Sequence, residues 1–253
     1  MQRILLMLLA ALAALPATAT AHGRLVALDV IDRDSGARLD VYRHDGQAYV
    51  EGRPGQRYAI RLVNRSGVRV LAVLSVDGIN AVSGQDADPG QAGYVLEPHQ
   101  STDIAGWRKN LSEVAGFSFT SLPDSYAART DRPDNAGVIG IAVFREKRPL
   151  PRPRPPQVSD GLAREAADGG AAANGQTMRQ AAPMAQSIGT GHGPREHSHA
   201  SRTTFARAGK QPAELVTLRY ERRENLIALG VLPPRRTWPT QPQAFPGGFV
   251  PDP

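Results

Sequence analysis

Three of the chain's six histidines, His192, His197 and His199, fall within eight residues, in the run GTGHGPREHSHA. Clustered imidazoles raise the question of a metal. Structural zinc takes four ligands in tetrahedral geometry, often as His or Cys pairs a few residues apart. His197 and His199 have the one-residue spacing that sets two side chains on one face of a strand. His192 is cut off from them by Gly193 and Pro194, Glu196 would point to the opposite face of a strand, and the chain has no cysteine to complete a set. No metal site is therefore assigned here. Gly191 and Gly193 are expected to serve a turn, with His192 packed or hydrogen-bonded beside it.

Other constellations carry less. Cleavage of a leader after Ala21 would expose His22, whose amine and ring could chelate copper as in copper-dependent polysaccharide oxygenases. His44 or His99 would have to complete that brace, and cleavage after Ala19 would bury it. Ser125 in LPDSYAAR has no Gly-x-Ser-x-Gly elbow around it. The close carboxylates of DRDSG and GQDADPG lack calcium-loop spacing and suit turns instead. GVIG lacks the Lys-Ser/Thr of a phosphate loop. The run GWRKN sets Trp107, Arg108 and Lys109 together at an expected loop. Trp and Arg are enriched where proteins bind partners, so these three are the candidate binding surface. No catalytic and no cofactor-binding residue is assigned.

The elements that must position such residues are mainly strands. In residues 22–146, RYAIRLVN puts Tyr58, Ile60 and Leu62 on one face, and VRVLAVLSVD does the same with Val68, Val70, Ala72, Leu74 and Val76. Phe117 and Phe119 share a face of VAGFSFTSL, and GVIGIAVFRE is apolar on both faces, as a central strand would be. HDG reads as a hairpin turn. Eight to ten such strands, without an obligatory long helix, predict an antiparallel β-sandwich or barrel-like domain. Residues 147–187 are Pro/Ala/Gly-rich with almost no bulky apolar side chain, the composition of a disordered linker. Residues 188–253 form a small strand-helix segment: ELVTLRYE as a strand, RRENLIALG as a helix stopped by Gly230, then a Pro-rich tail carrying Trp238, Phe245 and Phe249.

The first 21 residues read as an export signal: Arg3, then twelve apolar residues over 4–15, then small residues with overlapping Ala-x-Ala cleavage signals. The apolar run is too short to stay as an anchor, so no transmembrane segment is expected after cleavage. Without cysteine, an exported chain must rely on ordinary burial. A formal charge of +6 in such a protein fits anionic envelope polymers or lipid head groups better than nucleic acid, and it fits equally the arginine-rich usage of a high-GC genome.

The stretch from LAVLSVDGINAVSGQ through VAGFSFTSLPDSYAARTDRPDNAGVIGIAVFRE, with the later blocks NLIALGVLP and FPGGFVPDP, resembles a family of uncharacterised exported proteins of Gram-negative bacteria. The resemblance implies a shared fold and export, and it carries no activity. The expectation is a periplasmic or secreted, non-enzymatic β-sandwich module that binds an envelope protein, a glycan or a small ligand. The alternative is a copper- or zinc-binding protein, or a copper-dependent oxidase, using His22 or the His192, His197 and His199 cluster.

Overall fold

The computed structural model describes residues 21–147 and 187–234. The expected export signal, the Pro/Ala/Gly-rich stretch and the tail aromatics Trp238, Phe245 and Phe249 lie outside these residues. The strands, in chain order, are β1 (Ala21–His22), β2 (Val26–Asp32), β3 (Val41–His44), β4 (Gln47–Glu51), β5 (Arg57–Asn64), β6 (Val70–Val76), β7 (Ile79–Asn80), β8 (Tyr94–Leu96), β9 (Ser101–Ile104), β10 (Gly106–Arg108), β11 (Glu113–Ser121), β12 (Val138–Arg145), β13 (Ile188–His197) and β14 (Glu214–Glu221). Two short helices accompany them, α1 (Tyr126–Arg129) and α2 (Arg223–Ala228).

These strands build two seven-stranded sheets. The first joins β1, β2, β5 and β11, with β9 beside β5 and both β10 and β13 beside β11; the second runs β3-β4-β14-β12-β6-β7, with β8 also on β6. Neither sheet closes on itself, so the fold is a sandwich and not a barrel. Period-two alternation decides what fills the space between the sheets. Tyr58, Ile60 and Leu62 of β5 and Phe117 and Phe119 of β11 point inward from one sheet, and Val70, Ala72, Leu74 and Val76 of β6 and Ile139 and Ile141 of β12 from the other; all are buried. The HDG turn joins β3 to β4 with Asp45 and Gly46 at φ 47° and 74°, the left-handed pair a two-residue hairpin requires.

The change in composition at residue 147 divides the sequence and not the body. β14 lies inside the second sheet, antiparallel to β12 (Ile141 opposite Val216) and parallel to β4 (Arg219 opposite Tyr49). Its inward residues Val216, Leu218 and Tyr220 belong to the same core as Ile139 and Ile141. Nor is the glycine-rich histidine run a turn. It forms β13, an edge strand along β11, and Pro194 is tolerated there because it falls at the break in register opposite Gly116, between the Arg195–Ala115 and His192–Phe117 pairs. Glycine is needed there for close approach: a Cβ on Gly189 would lie 2.5 Å from Ser125 Cβ, and one on Gly193 would lie 2.8 Å from the Gly116 carbonyl oxygen.

The outer face of the second sheet has a core of its own. Leu71 and Val73 of β6 and Ala142 and Phe144 of β12 point away from the sandwich, yet they are buried, with Phe205 packed against them. That face is covered because residues after β13 return across it. Lys147 N–H donates to the Ala206 carbonyl at 2.7 Å and Ala208 N–H to that of Arg145 at 2.9 Å. The Arg207 guanidinium stacks 4.3 Å from the centre of the Phe144 ring.

Candidate functional site

Two places bring chemically capable side chains together, and β13 contributes to both. At the first, Thr190 points between the sheets. Its hydroxyl lies 2.6 Å from Tyr58 Oη and 2.7 Å from Tyr220 Oη, while its N–H donates to Asp77 Oδ2 at 2.6 Å. Asp77 Oδ1 accepts from Tyr220 Oη at 2.5 Å and from Gly137 N–H at 3.0 Å. Asp77 and Gly78 form the turn between β6 and β7 with φ 54° and 75°, which turns the carboxylate back into the core. Tyr58 and Thr190 belong to one sheet, Asp77 and Tyr220 to the other, so the network staples the sandwich.

Burial pushes the Asp77 carboxyl above its ordinary value, against hydrogen bonds from Tyr220, Thr190 and Gly137 that favour the charged form. Burial, reinforced by the Asp77 charge, drives both tyrosines well above theirs. Tyr58, Thr190, Asp77 and Tyr220 are each at most 1% exposed. Their arrangement holds the sheets in register.

The second place is the open edge of the sandwich, one inward position further along β13. His192 is half-buried there. Its ring is parallel to that of Trp107, 6.3 Å away, and lies 5.4 Å from that of Tyr126. Trp107 meets Phe117 edge-on at 4.8 Å and Tyr126 at 4.9 Å, so the aromatic row runs from the core out to solvent. Tyr126 is presented by α1, whose cap Ser125 is fully buried, accepts from Ala128 N–H at 3.1 Å and donates to the Leu122 carbonyl at 2.7 Å. The Lys109 ammonium and the Arg132 guanidinium each stand 5.9 Å from the Tyr126 ring centre. Partial burial first, and then the charges of Lys109, Arg129 and Arg195, hold the His192 imidazole below its ordinary pKa.

The candidate surface read from GWRKN divides three ways. Trp107 is 2% exposed and belongs to the core, with its indole N–H buried and without a partner among the described residues. Arg108 ties a loop down, donating to the Ser198 carbonyl at 2.9 Å and to its hydroxyl at 3.1 Å. Lys109 is exposed and reaches the aromatic row. Tyr126, Arg129 and Arg195 were not singled out in the sequence, and no local signal marks them, because β11, β13 and α1 converge only in the fold. Tyr58, Asp77 and Tyr220 likewise look like ordinary strand and turn residues.

The histidines do not converge. His192 points inward, while His197 and His199 are exposed beyond it. His44 ends β3, 3.4 Å from Asp45 of the turn, and His99 lies in the turn before β9 at φ 59°. The backbone of His22 pairs with Ala27. Among the described residues, no three His, Asp or Glu side chains are grouped so as to hold a metal ion. No helix among them is long and apolar enough to cross a membrane. Comparison with known proteins found no matching family model, no matching curated protein and no matching solved structure.

Proposed function

We propose that this chain is an exported, non-enzymatic binding module of a Gram-negative envelope, and that the open edge of its sandwich receives an anionic glycan. The carrying observation is the half-buried His192 imidazole beside the Tyr126 ring, with the Lys109 ammonium 5.9 Å from that ring and the positive charges of Lys109, Arg129 and Arg195 acting on the imidazole. Planar aromatic faces suit the apolar face of a sugar, and clustered cations suit its carboxylate or phosphate. A net charge of +6 favours the same class of polymer. A binding role is further supported by the enclosure of Asp77, Tyr58 and Tyr220, whose acid-base groups are hydrogen-bonded inside the core. Export rests on the leader-like residues 1–21 and on the family resemblance. Intact mass of the processed chain, beginning at Thr20 or His22, tests it.

The ligand is tested by titrating tag-free mature protein with oligouronates and with phosphorylated oligosaccharides while following the His192 ring by NMR. An anion at the edge favours the imidazolium, so the His192 pKa is expected to rise on binding. Lys109→Ala with Arg129→Ala should weaken binding about tenfold, the equivalent of roughly 1.4 kcal/mol. Equal binding of a neutral glycan, or saturation without any change at His192, would overturn the reading. A protein or small-molecule ligand would show as saturation of the same ring by that partner alone.

A further inference from the structure

The outer face of the second sheet holds a groove of about 540 Å³ that the segment around Phe205 leaves uncovered. Its floor includes Val73, Ser75, Gly140, Ala142, Leu215 and Thr217. Its rim carries Asp86, Asp88, Asp131 and Asp134 against one cation, Arg132, which pairs with Asp86 at 2.9 Å. Leu215 is 68% exposed, more than any other large apolar residue described. We propose that the start of the C-terminal tail, from Arg235 to Trp238, occupies this groove, with Arg235 and Arg236 against the aspartates and Trp238 over Leu215.

The place where the described chain ends supports this occupant. Residues 42, 44, 49 and 51 alternate with the inward Val41, Ala48 and Val50, so they lie on the outer face of β3 and β4. α2 packs on that face: Arg223 pairs with Glu51 at 3.0 Å, and a Cβ on Gly230 would stand 3.5 Å from His44. The chain therefore reaches Gly230 on the face that holds the groove. β3 and β14 are two strand spacings apart, about 10 Å, which three or four extended residues cover.

Charge agrees as well. Residues 235–253 carry Arg235 and Arg236 and a single acid, Asp252. The neighbouring half of the face is already covered in this manner, by Phe205 on the apolar floor and by Arg207, whose guanidinium lies over Phe144 and donates to the Gln91 carbonyl at 2.6 Å.

The absence of cysteine makes a clean test available in the full-length chain. A Leu215→Cys, Trp238→Cys pair should form an intramolecular disulfide at least tenfold faster than a Leu111→Cys, Trp238→Cys pair. Leu111 is also exposed and solvent-facing but lies beside β11 in the other sheet. Replacing the four rim aspartates by asparagine should remove most of that advantage, and 1 M salt should do the same. In parallel, the Trp238 signal of the 5-fluorotryptophan-labelled protein should differ from that of a free 235–253 peptide. Equal crosslinking rates for the two pairs, or a Trp238 signal matching the free peptide, would overturn the proposal. So would faster crosslinking of Leu215→Cys to Arg152→Cys, which would place residues 148–186 there. Formation of a Leu215-to-Leu215 dimer in the single Leu215→Cys variant, at the expense of the intramolecular bond in the pair, would assign the groove to a second copy.

Discussion

Thr190 and His192 are two residues apart on one strand and point to the same side of it, yet their surroundings assign them opposite roles. Thr190 lies where the two sheets meet over Tyr58, Tyr220 and Asp77, and every polar atom around it has a protein partner. His192 lies where the sheets part, half in water, and its neighbours are aromatic faces and the cations Lys109, Arg129 and Arg195, the last of them paired with Glu113 at 3.6 Å. A fully satisfied polar network in the interior rigidifies and specifies a core. A partly exposed ring among positive charges adds little to stability, and it can gain from a ligand that brings a further anion. The position along the strand, and not the residue type, separates scaffold from site.

The harshest way to break the comparison is to remove both regions. A chain ending at Lys147 lacks β13 and β14, and so loses the strand between β12 and β4 together with Thr190, Tyr220 and His192. It should show no cooperative unfolding by circular dichroism, although residues 22–146 read in sequence as a self-sufficient sandwich. A sharp transition with native-like strand content would show that the first twelve strands suffice.

A smaller break goes to the scaffold alone. Asp77→Ala strands the Thr190 and Gly137 N–H groups and the Tyr220 hydroxyl inside the core. Leaving buried donors unmatched costs about 1–3 kcal/mol each, so a net loss of about 3 kcal/mol is expected by urea denaturation. Tyr220→Phe, which removes only the hydroxyl bridging Thr190 and Asp77, should cost about 1–2 kcal/mol. His192→Ala should cost clearly less than either. Comparable losses at Tyr220 and His192 would erase the distinction between the two regions.

Acid titration separates them by sign. Asp77 has a raised pKa, so the folded state keeps its proton to higher pH than the unfolded chain. Its contribution is greatest below the ordinary carboxylate pKa and is lost as pH rises through the folded value. His192 has a lowered pKa, so the unfolded chain takes up its proton first. Stability should fall as pH drops below about 6.5 toward the folded value. Asp77→Asn should flatten the first dependence and His192→Gln the second, each read as the difference in urea midpoint from wild type. The smallest effect expected is that of Lys109→Ala. It should leave stability unchanged while raising the His192 pKa toward its ordinary value, as seen by NMR.

Much of the framework was legible because the strands follow a local rule. Alternation marked the inward faces of β5, β6 and β11, and Asp45-Gly46 marked its hairpin. Where the reading departed from the structure, a distant segment had intervened. The outer face of β6 is apolar because Phe205 returns to cover it. The run around His192 is a strand because β11 offers it an edge and Ser125 and Gly116 press against its glycines. Trp107 was legible as a residue of consequence, but its neighbours Tyr126 and His192 come from parts of the chain that share no pattern with it.

By itself the sequence determined the class of fold, the inward faces of the strands, the hairpin at Asp45-Gly46, the stop at Gly230 and the absence of any thiol chemistry. These depend on steric preferences and periodicities that act over a few residues. Only the tertiary structure decided that β14 is an interior strand, that Asp77 turns into the core to join Tyr58, Thr190 and Tyr220, and that Lys109, Tyr126 and His192 meet at one edge. The physical reason is that such contacts join residues more than a hundred positions apart in several cases. Their energies arise from burial and pairing that no local stretch contains.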